Sequence, residues 1–432
     1  MPTSTEFSVS PKKKWLTRNV LLLGLVSFFA DLSSEMMTPV LPLFIFSLSG
    51  TAVIVGLVGG LGDAVANIIK VFSGYLADKI GKRKGLIFVG YGIPFFAKLG
   101  IGLSNSWEQV VILKPTERLG KGIRGAPRDS LLADSTTIQE RGKAFGFHRM
   151  MDTAGAIFGS FGALTIVLLF FGILRSEIVV LRTIIIISAF ISLLAVIPIV
   201  LLRDPGAEKS SSSTSSRVSL LNNLRSLPGD FYKFLGVSTL FGFANFTILL
   251  FILQVKNVLS LETVQQLVAT IPLSLTLEQV TTAIPIVLFI WFSIVYTLLS
   301  IPFGSWSDKY GRKVIFAIGT ALFAITCFGL AFTSGLLMLI LLFAFYGAFN
   351  AATDGVQKAF VVDLVPMSLK GTAIGLLQTI TGFAAIFAGI IAGFLMALDI
   401  SYPFIYGGVL AVISTILLLV LRFDSSSENS SG

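Results

Sequence analysis

Gly74-Tyr75-Leu76-Ala77-Asp78-Lys79-Ile80-Gly81-Lys82-Arg83-Lys84 is the stretch on which the reading of this chain turns, because it occurs twice. Its second copy is Gly304-Ser305-Trp306-Ser307-Asp308-Lys309-Tyr310-Gly311-Arg312-Lys313, with 230 positions between Asp78 and Asp308. A second pair of segments repeats at nearly the same offset. Ala133-Asp134 and Arg141-Gly142-Lys143-Ala144-Phe145-Gly146 match Val362-Asp363 and Lys370-Gly371-Thr372-Ala373-Ile374-Gly375, and 229 positions separate the aspartates. Two independent matches at one spacing point to duplication of a unit about half the chain long.

The rest of the chain says what that unit is. Of 432 residues, 54% are hydrophobic and only 13% charged, too few polar groups to cover a soluble protein. The apolar residues gather in runs of about twenty, enough to cross roughly 30 Å of hydrocarbon. Spans are expected at 19–47, 51–77, 85–104, 107–133, 142–171 and 178–202, then at 231–256, 284–307, 313–334, 336–361, 370–398 and 402–422. The first is too long for a signal-peptide core and has no cleavage pattern, so it reads as retained. The expected organisation is a cytoplasmic tail (1–18), a six-helix bundle (19–202), a cytoplasmic Ser-rich linker (203–230), a second bundle (231–422) and a disordered tail (423–432). The segment between 257 and 282 fits less neatly, reading either as an outer hairpin or as a misplaced span boundary.

Both copies of the repeat fall after the second span of their half, where an acid at a helix end is followed by a turn glycine and basic residues. This pattern, G-x-x-x-D-x-x-G-[KR]-[RK], resembles the signature of the major facilitator superfamily, which repeats it more weakly in its second half. Arg118-Leu119-Gly120-Lys121-Gly122 in the fourth span is similar to that family's R-x-x-Q-G element, with Lys in place of Gln. The resemblance implies an all-α membrane protein of twelve transmembrane helices in two pseudo-symmetric six-helix bundles. It also implies a gate on the inner side, for which the matching positions are Gly74, Asp78, Gly81, Lys82, Arg83, Asp308, Gly311 and Arg312. The family's drug antiporters carry G-P-x-x-G-G in the fifth helix. Here that helix reads Gly155-Ala156-Ile157-Phe158-Gly159-Ser160-Phe161-Gly162, a small-residue packing stripe without the proline.

Charge supplies the orientation. With both termini inside, the expected cytoplasmic segments hold twenty of the 32 Lys and Arg, whereas the external side has only Arg175, Arg182 and Lys256. That is the positive-inside bias of a multi-pass protein in a cell membrane. The net charge of +9 is therefore topological and implies no nucleic-acid partner. A single Cys and a single His exclude an internal disulfide and a His-cluster metal site. With no phosphate-cradling Gly-Lys-Ser/Thr loop and no nucleophile–His–acid set, neither an enzyme nor a cofactor is expected.

Sixteen charges fall within the spans: Lys70, Lys98, Lys114, Arg118, Lys121, Arg124, Arg128, Arg149 and Lys358, with Asp31, Glu35, Asp63, Glu117, Asp129, Asp152 and Asp354. Facing lipid at on the order of 3 kcal/mol each, they would cost about 50 kcal/mol, so they must pair or border water. Fourteen lie in the N-terminal half. Asp31 and Glu35 share one helix face, as do Asp63, Asn67 and Lys70, and Glu117, Lys121, Arg124 and Arg128 form another. The expected substrate and coupling cavity comprises Asp31, Glu35, Asp63, Asn67, Glu117, Arg118 and Lys121 near the bilayer midplane, completed by Asn245, Asn350 and Asp354. Gln378, Trp291 and Tyr296 offer neutral and aromatic contacts from the same side. The protonation of a cavity carboxylate depends on how wet the cavity is and on nearby cations, so such groups suit proton coupling. Eight bases against six acids in the N-terminal half favour an anionic or zwitterionic substrate. The expected function is a monomeric, proton-coupled secondary transporter of a small solute, embedded in lipid. An exporter of amphipathic drugs and a non-transporting sensor or receptor are the alternatives.

Overall fold

The computed structural model describes residues 16–80, 83–137, 140–174, 176–203, 224–259, 261–270, 275–333, 335–366 and 369–423; for 74–80 the backbone helix alone is described. Gly81, Lys82, most of the expected linker and most of both tails lie outside the described residues.

Helices account for nearly all of it. The N-terminal half contains α1 (Arg18–Met37), α2 (Leu41–Ser47), α3 (Ala52–Ile80), α4 (Arg83–Leu103), α5 (Trp107–Asp134), α6 (Arg141–Leu174), α7 (Glu177–Leu194) and α8 (Val196–Leu201). The C-terminal half contains α9 (Gly229–Ala244), α10 (Ile248–Val258), α11 (Leu261–Thr270), α12 (Leu277–Tyr310), α13 (Arg312–Phe332), α14 (Leu336–Leu364), α15 (Lys370–Leu398) and α16 (Tyr402–Val420). Among the described residues, eleven helical segments are long and apolar enough to cross a membrane. The twelfth span is α5, whose charges lower its hydropathy and which is packed between α3 and α4. Its ions are tolerated because they meet other helices or the space between the halves rather than lipid.

Three spans are made of two pieces. The first breaks at Thr38–Val40, the sixth at Ala195 and the seventh at Asn245–Thr247. The expected start of the eighth span at 284 is corrected to Leu277. A capping box sets it: Thr276 Oγ1 accepts from the Gln279 amide at 3.2 Å while Gln279 Oε1 accepts from the Thr276 amide at 2.7 Å. Part of the segment before it forms the short helix α11.

Arg83 with Asp134 in the first half and Arg312 with Asp363 in the second mark corresponding ends of the two bundles, here called the motif face. Gly311 makes the turn between α12 and α13 with φ +95°, a left-handed conformation that suits glycine. The apolar cores show how the halves meet. Toward the opposite face one continuous core draws on both, from Phe44 and Ile184 to Phe251 and Phe323. Toward the motif face there are two separate cores, one built around Val20, Tyr91 and Leu131, the other around Phe234, Phe316 and Phe360. The halves are thus fused on one side and parted on the other. Close backbone contact seals the fused side: a Cβ added at Gly56 would lie 2.0 Å from the Gly389 carbonyl oxygen. The expected packing stripe of the fifth span does the same work within the first half, where Gly155 and Gly159 press on the backbone of Phe28 and Leu32.

Candidate functional site

Between the parted halves lies a central cavity of about 400 Å³. Its N-terminal wall carries Asp31, Glu35 and Thr38 from the first span, Asp63 from α3, Arg118 and Lys121 from α5, and Arg149, Asp152 and Thr153 from α6. Its C-terminal wall is aromatic and, Asp354 apart, neutral, with Asn245 and Phe246 at the break before α10, Phe289, Phe292 and Tyr296 on α12, and Tyr346, Asn350 and Asp354 on α14. The breaks in the first and seventh spans both reach this cavity, so unwound backbone lines water rather than lipid. A side cavity of about 340 Å³ adds Asn67, Ser238 and Gln357. A vestibule of about 500 Å³ runs from Arg149 and Tyr296 to Asp308 and Arg312 at the motif face.

Nine of the ten residues expected in the cavity therefore border one of these connected spaces. Glu117 does not. One residue along the helix from Arg118, it turns about 100° away and is buried inside the first bundle, 2.8 Å from the Lys114 ammonium and 3.7 Å from Arg118. Lys98, also buried, reaches across to donate to Ser33 Oγ at 2.7 Å and Ser34 Oγ at 3.1 Å. Arg124 covers the Tyr91 ring at 4.1 Å, and Arg128 holds Asp129 at 2.9 Å while donating to Ser27 Oγ at 3.3 Å. Ser27 in turn lies 2.5 Å from His148 Nε2, and the other ring nitrogen is 3.5 Å from Asp152. Many of the charges within the spans are thus satisfied inside the first bundle, by ion pairs along α5 and by bonds to serines or a ring on a neighbouring helix, as their insertion cost requires.

Asp31 and Glu35 are different. They face the cavity one turn apart, and among the described residues no basic side chain stands at ion-pair distance from either. Arg118, 4.0 Å from Asp63, completes the charged wall.

Of the gate positions, Arg83 and Arg312 are arranged alike in the two halves. Arg83 pairs with Asp134, and Arg312 pairs with Asp363 at 3.2 Å and with Asp308 at 2.6 Å. Beside them, Lys84 donates to the carbonyls of Val200 and Leu202, and Lys313 to those of Leu419 and Leu421, tying down the last helix of each half. Gly74 and Asp78 lie on α3, where only the backbone is described, and Gly81 and Lys82 lie outside the described residues. Of the neutral contacts expected from the second half, Tyr296 lines the cavity. Trp291 instead points outward, donating to the Ile340 carbonyl at 2.9 Å. The sequence reading left Arg149 and Asp152 out of the cavity. Their place on the helix face of Thr153, Ala156 and Ile157, an i, i+3, i+4 pattern, was the available signal.

The description "Major Facilitator Superfamily" fits a family model that matches residues 23–284 and 267–431. An uncharacterised MFS-type transporter of Methanocaldococcus jannaschii is 39% identical over 406 residues, 94% of this chain and 95% of that protein. Among solved structures, the nucleoside transporter NupG superposes with a TM-score of 0.72 at 16% identity, covering 93% of this chain and 98% of that one. A D-xylose–proton symporter gives 0.68 at 15%, covering 94% and 98%. A twelve-helix, two-bundle membrane transporter with a cavity between its halves is the class these features define. The chain belongs to the major facilitator superfamily.

Proposed function

We propose that the protein is a proton-coupled secondary transporter that carries a small polar solute by alternating access, with its motif face in the cytoplasm of a cell whose plasma membrane it spans. The carrying observation is the placement of Asp31 and Glu35, two carboxylates that line the central cavity with no basic side chain at ion-pair distance among the described residues. Charge of this kind is tolerable in a membrane when it can be neutralised, and a proton is the smallest neutralising ligand. The basic loops favour a cytoplasmic motif face, and the cavity is complete within one chain, consistent with a working monomer.

The expected lean toward an anionic or zwitterionic solute narrows with the lining. The excess of bases counted along the sequence lies away from the central cavity, where Lys98 bonds to serines and Arg124 covers a ring. Asp31, Glu35, Asp63, Asp152 and Asp354 face the central cavity against Arg118, Lys121 and Arg149. A zwitterion, or a solute with a cationic group, suits this wall better than a bare anion. A second reading, export of amphipathic cations, draws on the same carboxylates and on the aromatic faces of Phe289, Phe292, Tyr296 and Tyr346 opposite them.

A thermal-shift screen of metabolites, metals and drugs at two pH values identifies a ligand, since binding to the folded state raises the melting temperature. With that ligand in proteoliposomes, an imposed pH gradient is expected to drive accumulation or expulsion in the wild type. Asp31→Asn and Glu35→Gln, singly or together, are expected to abolish that drive while leaving exchange down the solute's own gradient. Gradient-driven movement that survives in the double variant would falsify proton coupling through this pair.

A further inference from the structure

Arg149, Tyr296 and Asp354 border both the central cavity and the vestibule, and no other described residue borders both. They form one hydrogen-bonded row. The Arg149 guanidinium on α6 donates to Tyr296 Oη at 3.0 Å, and that hydroxyl donates to Asp354 Oδ2 at 2.8 Å. The row crosses from one half to the other, because α6 belongs to the first bundle and α12 and α14 to the second. Phe292, one turn from Tyr296, lies parallel to its ring, with 6.2 Å between centroids and 4° between planes. The vestibule lining next to the row includes the small residues Ser300, Gly304, Ala351 and Gly355.

We propose that this row is a side-chain gate between the solute cavity and the vestibule, with Tyr296 as its moving part and Arg149 and Asp354 as the posts that hold it shut. The proposal rests on the cavity being the transport path.

The chemistry fixes how the row works. A phenol has one proton, so it can donate to only one acceptor. With the proton committed to the Asp354 carboxylate, its oxygen is left to accept from the guanidinium. Each end of the row therefore strengthens the other, and both bonds involve a charged group. The two bonds differ mechanically. Tyr296 and Asp354 sit in the same bundle and move together, whereas Arg149 is anchored in the other. Relative motion of the bundles strains the Arg149–Tyr296 bond first, and its loss frees the ring to turn toward the small-residue side of the vestibule. Halves that are already parted at the motif face would still retain solute until that one bond breaks.

The single native cysteine, Cys327, is buried, which gives a quiet background for testing access. Thr153→Cys places one reactive thiol in the central cavity, at a position that borders neither the vestibule nor the side cavity. Purified protein is labelled with a small methanethiosulfonate and, separately, with a bulky polyethylene-glycol maleimide, and the ratio of the two rates is compared between backgrounds. Tyr296→Phe keeps the ring and deletes the two hydrogen bonds. It is expected to raise the bulky-to-small ratio by about tenfold or more, the factor that one charge-assisted hydrogen bond is worth. Arg149→Ala is expected to do the same. A ratio that is unchanged in Tyr296→Phe, in protein whose melting temperature matches the parent, overturns the gate. Labelling requires no transport, so a flat ratio leaves the coupling by Asp31 and Glu35 untouched, and a failed accumulation assay leaves the labelling result standing.

Discussion

The two halves share a scaffold and differ in what fills it. At the motif face they are near copies: Arg83 meets Asp134 and Arg312 meets Asp363, with 229 positions between each residue and its counterpart, and Lys84 and Lys313 each hold the end of their half's last helix. Inside, the first half is built on ions. Lys98, Lys114, Glu117 and Arg124 are all buried there. The second half is built on rings, with Phe251 packed among Phe246, Phe323, Tyr346 and Phe404 at centroid distances from 4.4 to 6.1 Å. The difference teaches that a duplicated backbone leaves interior chemistry free to diverge, provided each interior closes on itself. The charged half gains directional pairs and the aromatic half gains shape.

The largest effect that could break this comparison is at Glu117. Its carboxylate lies between Lys114 and Arg118, so Glu117→Gln leaves buried cations uncompensated, a loss of about 3–5 kcal/mol. Thermal unfolding in detergent checks it, and a melting temperature equal to the wild type's would mean that the ionic interior is dispensable. The matching change in the aromatic half is Phe251→Leu. It nearly conserves volume and involves no charge, so about 1 kcal/mol is expected. A larger cost there than at Glu117 would reverse the ranking of the halves. The smallest effect lies where the halves touch on the opposite face. Lys256 meets Glu177 at 2.6 Å across the interface, with both side chains about one-third exposed. Glu177→Gln is expected to shift the balance toward a state open on that face by at most about 1 kcal/mol, roughly fivefold. Distances between spin labels on α7 and α10 measure it, and an unchanged distribution would show that the apolar core and the glycine contacts of α3 and α15 hold that side without this ion pair.

These regions were not equally readable beforehand. The motif face was legible because its aspartates, glycines and basic residues recur at one spacing. The spans were legible because lipid permits few polar residues at depth. The eighth span was misplaced because a capping box extended it beyond its most apolar stretch. The expected cavity residues came from helix faces, since i, i+3 and i+4 neighbours share a surface whatever the surroundings, and nine of the ten border the connected spaces. Glu117 was assigned to that face although the helix turns it into the bundle, and Arg149 and Asp152 were left out although their helix face borders water.

The sequence by itself determined the class of protein: twelve spans, two related halves, and ions that could not face lipid. Periodicity and transfer energies act along the chain, so they can be read along it. Only the tertiary structure decided which ions pair within a bundle and which face the cavity, and with that the sign of the lining. It also brought Arg149 to Tyr296, residues 147 positions apart. That choice depends on how two bundles dock, and docking depends on side chains from both halves at once, a relation no single stretch of sequence contains.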